Sequence, residues 1–277
     1  MQNKLLICNH CSQRIRGYGS LLLTAVLLLN GCGTETYEQR LNETTQFFAY
    51  QDVRNQALSN TWSSPSVSMR VPIEFKQISA PPAAPAAASD NSEATIPEPD
   101  STIDPRQPDY VDLILPGLEG AWRVEVPVDL ENEIVDRPAY LYVLSNNSLL
   151  KEKNMDEALI FFEDVNNQIA STFNQFINNE EFKTERFPQG KGYIEPKSFN
   201  VGLLEPEMPI DGVPYEFQIY QVERGDNQVV ILLVIPKNMT GRSNIKEHLD
   251  FSLETVDIVS PKSGSGRSNS AAESTKF

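Results

Sequence analysis

Val229-Val-Ile-Leu-Leu-Val-Ile235 is an unbroken run of seven aliphatic residues. No charged or polar side chain interrupts it, so neither of its sides is suited to water. A run this short, rich in β-branched residues and closed by Pro236, predicts the buried central strand of a sheet. Just before it, Tyr215-Glu-Phe-Gln-Ile-Tyr-Gln-Val222 alternates apolar and polar residues, which predicts a strand with one wet face. Arg224-Gly-Asp-Asn227 supplies turn chemistry between the two. The pair therefore predicts an antiparallel hairpin whose second strand is buried on both faces.

Other segments supply partners for that hairpin. Val111–Leu115 and Ala121–Val126 read as strands joined by a turn carrying Pro116, Gly117 and Gly120. Ala139–Leu144 is aromatic and β-branched, hence a strand. A long helix is expected from Asn154, with Glu157 placed to reach back to its cap. Leu159, Phe162, Val165, Ile169, Phe173 and Phe176 fall on one face of that helix, over about five turns. Such a stripe reads as core rather than as the wall of a pocket. Phe182–Phe187 and Phe199–Leu204 are two further strands. Asn244-Ile-Lys-Glu247 opens a final helix with Ile245, Leu249, Ser252 and Val256 on one face. Residues 110–259 suffice for one sizeable core. The expected fold class is α+β, an antiparallel sheet flanked by helices. The closing order of aliphatic strand, short loop and amphipathic helix is similar to the PsbP/Mog1-like fold, a resemblance that implies no catalytic motif.

The N-terminus carries a different message. Lys4, Arg14 and Arg16 precede the apolar run Leu21–Leu29, and no acidic residue comes before Glu35. The run is too short to span a bilayer, which needs roughly 20 residues, and suits a signal peptide. Leu29-Asn30-Gly31-Cys32 resembles the lipobox of bacterial lipoproteins. That resemblance implies cleavage before Cys32 and a diacylglycerol thioether on its sulfur, usually with a third chain on its amine. Two or three chains would hold the protein at a membrane essentially permanently. Gly33 stands where the inner-membrane retention signal would have Asp, which favours the periplasmic face of the outer membrane.

Residues 1–31 are thus the expected signal peptide, and 32–78 a lipidated N-terminus with a juxtamembrane helix and an extended arm. Thr36-Tyr-Glu-Gln39 is a capping box, and Tyr37, Leu41, Thr44 and Phe48 recur at helical spacing towards Leu58. This helix is compatible with a stalk or partner-binding role and with packing on its own domain. Val67–Phe75 alternates, and Pro72 would place it at a sheet edge. Residues 79–109 form a Pro/Ala-rich and then acidic linker, and 260–277 a Ser/Gly-rich tail. Tyr37–Thr44, Arg70-Val-Pro72, Asp104–Pro108 and Leu115–Ala121 resemble phrases of uncharacterised planctomycete-type lipoproteins. That resemblance implies an address and brings no known activity.

Charge narrows the partners. Three of the 23 basic residues and none of the 38 acidic ones precede Cys32, so the mature part carries a net charge of −18. Such a chain is repelled by nucleic acid and by anionic lipid head groups. Membrane contact is therefore expected through the lipid on Cys32.

The sequence holds little catalytic chemistry. Cys8-Asn-His-Cys11 has metal-ligand spacing but lies in the segment expected to be removed, without further ligands. His248 is the only histidine after Cys32, and no serine stands in a nucleophile-elbow context. It reads as a partly exposed helix residue. Asp129, Glu131, Glu133 and Asp136 read as a solvated acidic loop rather than a Ca²⁺ site. No cofactor and no catalytic residue is expected, and lipidation of Cys32 is the one assignable site. The expected function is that of a membrane-anchored envelope lipoprotein with a non-catalytic binding module, helped by an envelope protein partner. The alternatives are a carboxylate-dependent hydrolase of envelope glycans, which needs two placed carboxylates, and an envelope assembly factor.

Overall fold

The structure, a computed structural model, describes residues 34–81, 104–130, 133–189, 194–240 and 244–259. The expected signal peptide, Cys32 and the expected tail 260–277 fall outside the described residues, as does most of the expected linker. The chain divides into two units, Met1–Asn55 and Gln56–Phe277.

In the first unit the described part is one helix, α1 (Thr34–Ala57), which runs on to the start of the second unit. Local pairs stitch its surface, such as Gln39 Nε2 to Glu43 Oε1 at 2.9 Å. Tyr37, Leu41 and Phe48, the expected apolar face, are each more than half exposed. Among the described residues no helix is long and apolar enough to cross a membrane.

The second unit is α+β, with an antiparallel sheet flanked by helices. It opens with β1 (Leu58–Ser63), β2 (Val67–Pro72) and the two-residue β3 (Lys76–Gln77). The hairpin β4 (Leu118–Leu130) and β5 (Glu133–Ser145) follows. Three helices come next, α2 (Asn147–Lys151), α3 (Met155–Leu159) and α4 (Phe161–Thr172). Then come β6 (Lys183–Phe187), β7 (Lys197–Leu204), β8 (Tyr215–Arg224) and β9 (Asn227–Pro236). Helix α5 (Ile245–Thr255) and β10 (Asp257–Ile258) close the unit. The compact unit therefore takes in three strands from the expected arm, and the segment expected as a linker, 79–109, joins β3 to β4 within this unit.

The main sheet has seven strands in the order β3-β4-β5-β9-β8-β7-β6, and every neighbouring pair is antiparallel. The aliphatic run occupies its centre: all ten residues of β9 are buried. Each fully buried Val, Leu or Ile contributes about 1.5–3 kcal/mol, so this strand anchors the core. The β8–β9 turn is tight, with Arg224 facing Asn227 and Gly225 at φ +63°, a conformation that suits glycine.

Both faces of the sheet are covered. On one, Asn166 of α4 accepts a hydrogen bond from Gln221 (3.1 Å), and the Phe173 ring meets Phe217 edge-on. Tyr110, from the segment before β4, stacks on Tyr140 on that same face. On the other face lie α5 and a small sheet ordered β1-β2-β10. There Trp62 meets Trp122 edge-on at 4.9 Å, and Lys246 pairs with Glu216 at 2.6 Å.

Several local expectations are corrected. β2 is not an edge strand: β1 and β10 flank it, and Pro72 is its last residue. Past the short β10, the α5 side chains Thr255 and Ser252 bond the Arg70 N–H and C=O, which satisfies the rest of that border. Val111–Leu115 is not a strand. The Gln107 amide takes both backbone groups of Leu115, at 2.7 and 3.0 Å, in place of a ladder. Residues 104–109, placed by the sequence in the linker, are described: Arg106 grips the Asp104 carboxylate and holds its pKa below the usual value.

The long helix from Asn154 is broken. Gln228 of β9 donates to Leu159 O (3.1 Å) and accepts from Phe162 N (3.2 Å), and α3 ends between those two contacts. Asn146, fully buried, donates to Ala158 O as well. Within the expected stripe Val165 and Ile169 are buried, joined by Phe161, and Phe162 and Phe173 pack against the core, while its two ends, Leu159 and Phe176, are exposed. Neither Glu157 nor Asn154 forms the expected side-chain cap.

Candidate functional site

Cys32 and the pair Cys8/Cys11 lie outside the described residues, so the site on which the sequence places most weight has no geometry here. The remaining chemistry-bearing side chains fall into four places in the second unit.

His248 is the fourth residue of α5 and meets a partner that spacing did not reveal. Its Nδ1 lies 2.6 Å from Glu74 Oε1, on the connection between β2 and β3. The pair ties the last helix to the first strands. No serine hydroxyl is recorded against His248, so no nucleophile–base arrangement forms there among the described residues. Nearby, Glu74, Lys76, Arg123 and Glu125 border an open groove of about 500 Å³ of mixed charge. Arg123 is already engaged, 2.7 Å from Glu125 and over the Tyr140 ring.

Tyr110, Tyr140, Tyr142 and Tyr215 form a stacked array beside that arginine. The Tyr110 ring lies 4.6 Å from Tyr140 and 6.4 Å from Tyr215. Tyr140 donates to Asp109 (3.1 Å) and Tyr215 to Pro138 O (3.1 Å). Burial raises the phenol pKa values of all four, that of Tyr215 to about 12. Hydroxyls that are neutral and already bonded suit holding the 104–115 segment to the sheet better than proton transfer.

Ser145 ends β5 and donates to Glu119 Oε1, next to Gly117, whose carbonyl accepts from Ser145 N at 2.9 Å. Gly117 has φ +60°, and an added Cβ would lie 2.0 Å from Ser145 O. The serine is 1% exposed and no histidine is recorded against it. Its bond to Glu119 fixes the bend into α2.

The fourth place is the β6 end of the sheet. Phe176, Phe182, Val201 and Leu203 line a groove of about 280 Å³ together with Lys183 and Glu185. Phe176 is fully exposed and Leu203 is 59% exposed, an apolar surface at a strand border. Across from it, burial pushes the Asp250 carboxyl on α5 up to about 6, and Glu185, Glu254 and Glu247 add to the rise.

Asp129, Glu133 and Asp136 do not form a loop: they ride on the β4–β5 hairpin, where Asp129 faces Ile134 and Asp136 faces Pro127. Glu131 lies outside the described residues. Among the described residues no group of three or more His, Cys, Asp or Glu side chains is placed to hold a metal ion.

No protein-family model matches the sequence, and the comparison with curated proteins returns no relative. A crystal structure from Bacteroides thetaiotaomicron VPI-5482 shares 9% identity, with a TM-score of 0.29. The alignment covers 72% of this chain, and the chain spans about half of that one (48%).

Proposed function

We propose that this chain is a lipid-anchored protein of the bacterial cell envelope whose α+β unit binds a partner rather than turning over a substrate. The observation that carries this reading is Leu29-Asn30-Gly31-Cys32 behind a basic lead and a short apolar run. Cys32 would take the lipid and residues 1–31 would be removed. The absence of Asp after Cys32 favours the periplasmic face of the outer membrane. The sheet with its final helix is read as PsbP/Mog1-like and the whole chain as a planctomycete-type lipoprotein, both on the sequence features given above. What supports binding over catalysis is the state of the described side chains. The tyrosine hydroxyls and Ser145 are already bonded, whereas the groove beside Phe176 is open and half apolar.

The test is membrane fractionation of the full-length chain and of Cys32→Ala, followed by crosslinking and pull-down from the native envelope. The reading expects the wild type in the membrane fraction, the variant in the soluble fraction, and a protein partner recovered only with the former. A Cys32→Ala chain that stays with the membrane would sink it.

One observation favours a second reading, a carboxylate-dependent hydrolase of envelope glycans. A half-buried carboxyl raised to about 6, as Asp250 is, keeps its proton to higher pH than an ordinary carboxyl, the direction in which a general acid is tuned. Purified protein that releases no sugar from peptidoglycan, with Asp250→Asn behaving identically, removes that reading.

A further inference from the structure

The main sheet ends in β6, which pairs with β7 on one side and with no other strand among the described residues. Lys183, Thr184 and Arg186 on this border are exposed. Neither Lys183 nor Arg186 makes an ion pair among the described residues, and Glu185 accepts only a 3.3 Å hydrogen bond from Gln189 there. Two unpaired cations and an unpaired carboxylate thus alternate along an open strand.

Open strand borders are sites of strand addition unless something discourages it, and charges are the usual deterrent. Of the symmetric registers centred on the charged stretch 183–186, the charges disfavour all but one. In antiparallel self-pairing the two-fold axis must pass through a residue, because residues facing each other share a side of the sheet. Centred on Lys183, it sets Lys against Lys. Centred on Glu185 or Arg186, it likewise opposes like charges, which is destabilising. Centred on Thr184, it sets Lys183 against Glu185 of the second copy, twice by symmetry, and Phe182 against Arg186.

The surroundings agree with that register. Lys183 and Glu185 lie on the sheet side covered by α5, since Lys183 faces Val201 and Glu185 faces Phe199. On that side Glu185, Glu247 and Glu254 are close enough to act on Asp250, and the lysines Lys197 and Lys246 there are bound to Val256 O and Glu216. A lysine arriving from a second copy meets a negative field. The groove of Phe176, Phe182 and Leu203 beside the strand adds apolar surface at the same border.

We propose that β6 pairs with β6 of a second copy, antiparallel and centred on Thr184, joining two seven-stranded sheets into one. The pairing is read from the folded sheet alone, so it stands or falls separately from the lipid anchor.

Sedimentation velocity on the full-length chain in non-ionic detergent tests it, with Lys183→Glu, Glu185→Lys and the double exchange. The wild type is expected to show a concentration-dependent dimer. Each single exchange replaces two attractive pairs by two repulsive ones and weakens association about tenfold or more. The double exchange restores the complementarity and returns association to within about threefold of wild type. All sites are at an accessible border, and circular dichroism shows whether each variant keeps its fold. In Thr184→Cys the two thiols face each other at a spacing a disulfide accepts, so oxidation yields a covalent dimer. Asp156→Cys, exposed on α3, does not. A chain that stays monomeric up to about 100 μM, a dimer indifferent to the exchanges, or a failure of Thr184→Cys to crosslink each overturns the proposal.

Discussion

Asp250 lies on α5 beside three other carboxylates, Glu185, Glu247 and Glu254, and near the Tyr220 hydroxyl. Its folded pKa of about 6 lies above the ordinary 3.8, chiefly because burial penalises the charged form. The folded state therefore keeps a proton that the unfolded chain releases between those values. This group's contribution to stability is best below about pH 4, falls as pH rises towards 6, and is worst at neutrality. Asp250→Asn is expected to raise the urea midpoint at pH 7, by on the order of 1 kcal/mol after screening by solvent. At pH 4 it should change little. A lower midpoint at pH 7 would contradict this account. Gly117 is the opposite kind of residue, held in place by its lack of a side chain. Gly117→Ala puts a methyl group 2.0 Å from Ser145 O at φ +60°. It should cost about 2 kcal/mol or more, read as a lower thermal midpoint. His248 was visible in the sequence as a lone helix histidine, but its partner Glu74 is remote in sequence, and only the fold joins them.

At the scale of elements, alternation and aliphatic runs read well and local spacing read poorly. β8, β9 and α5 follow their patterns because each buries one continuous surface in the same core. The helix expected from Asn154 fails for a reason no local window contains. Gln228 is 66 residues from Phe162 and takes its N–H, so the helix is interrupted there and restarts at Phe161. Gln228→Ala leaves Leu159 O and Phe162 N without those partners and is expected to cost about 2 kcal/mol. Amide exchange should quicken at Phe162 and its neighbours while β9 stays protected. Equal exchange in both chains would count against this cause of the break. Val111–Leu115 misled in a related way: its residues suit a strand, but the Gln107 amide already serves Leu115's backbone. Side chains acting as surrogate backbone leave no periodicity behind. The apolar stripe of α1 was legible too, and Tyr37, Leu41 and Phe48 remain exposed along it.

For the whole molecule, the stability gradient should follow the sheet order. β9 is buried along its full length between two long neighbours, whereas β6 borders solvent. Native-state hydrogen exchange is expected to be slowest in 229–235 and fastest at β6 and α2. Leu232→Ala, at the centre of β9 and 0% exposed, should cost about 2–5 kcal/mol. It should lower protection everywhere in the unit, since β5 and β8 both lean on it. The sheet order also fixes a timetable. β4 and β5 are made early, but the place beside β5 is filled by β9, which emerges only after β6, β7 and β8. Until then the aromatic and aliphatic row Tyr140–Leu144 has a partner on one side only. A chain threaded from its N-terminus, whether from a ribosome or through a membrane pore, must wait with that row uncovered. Its vulnerable period is therefore set by the time taken to deliver the last strand. Stalling just before Asn227 is the interruption from which it is least protected.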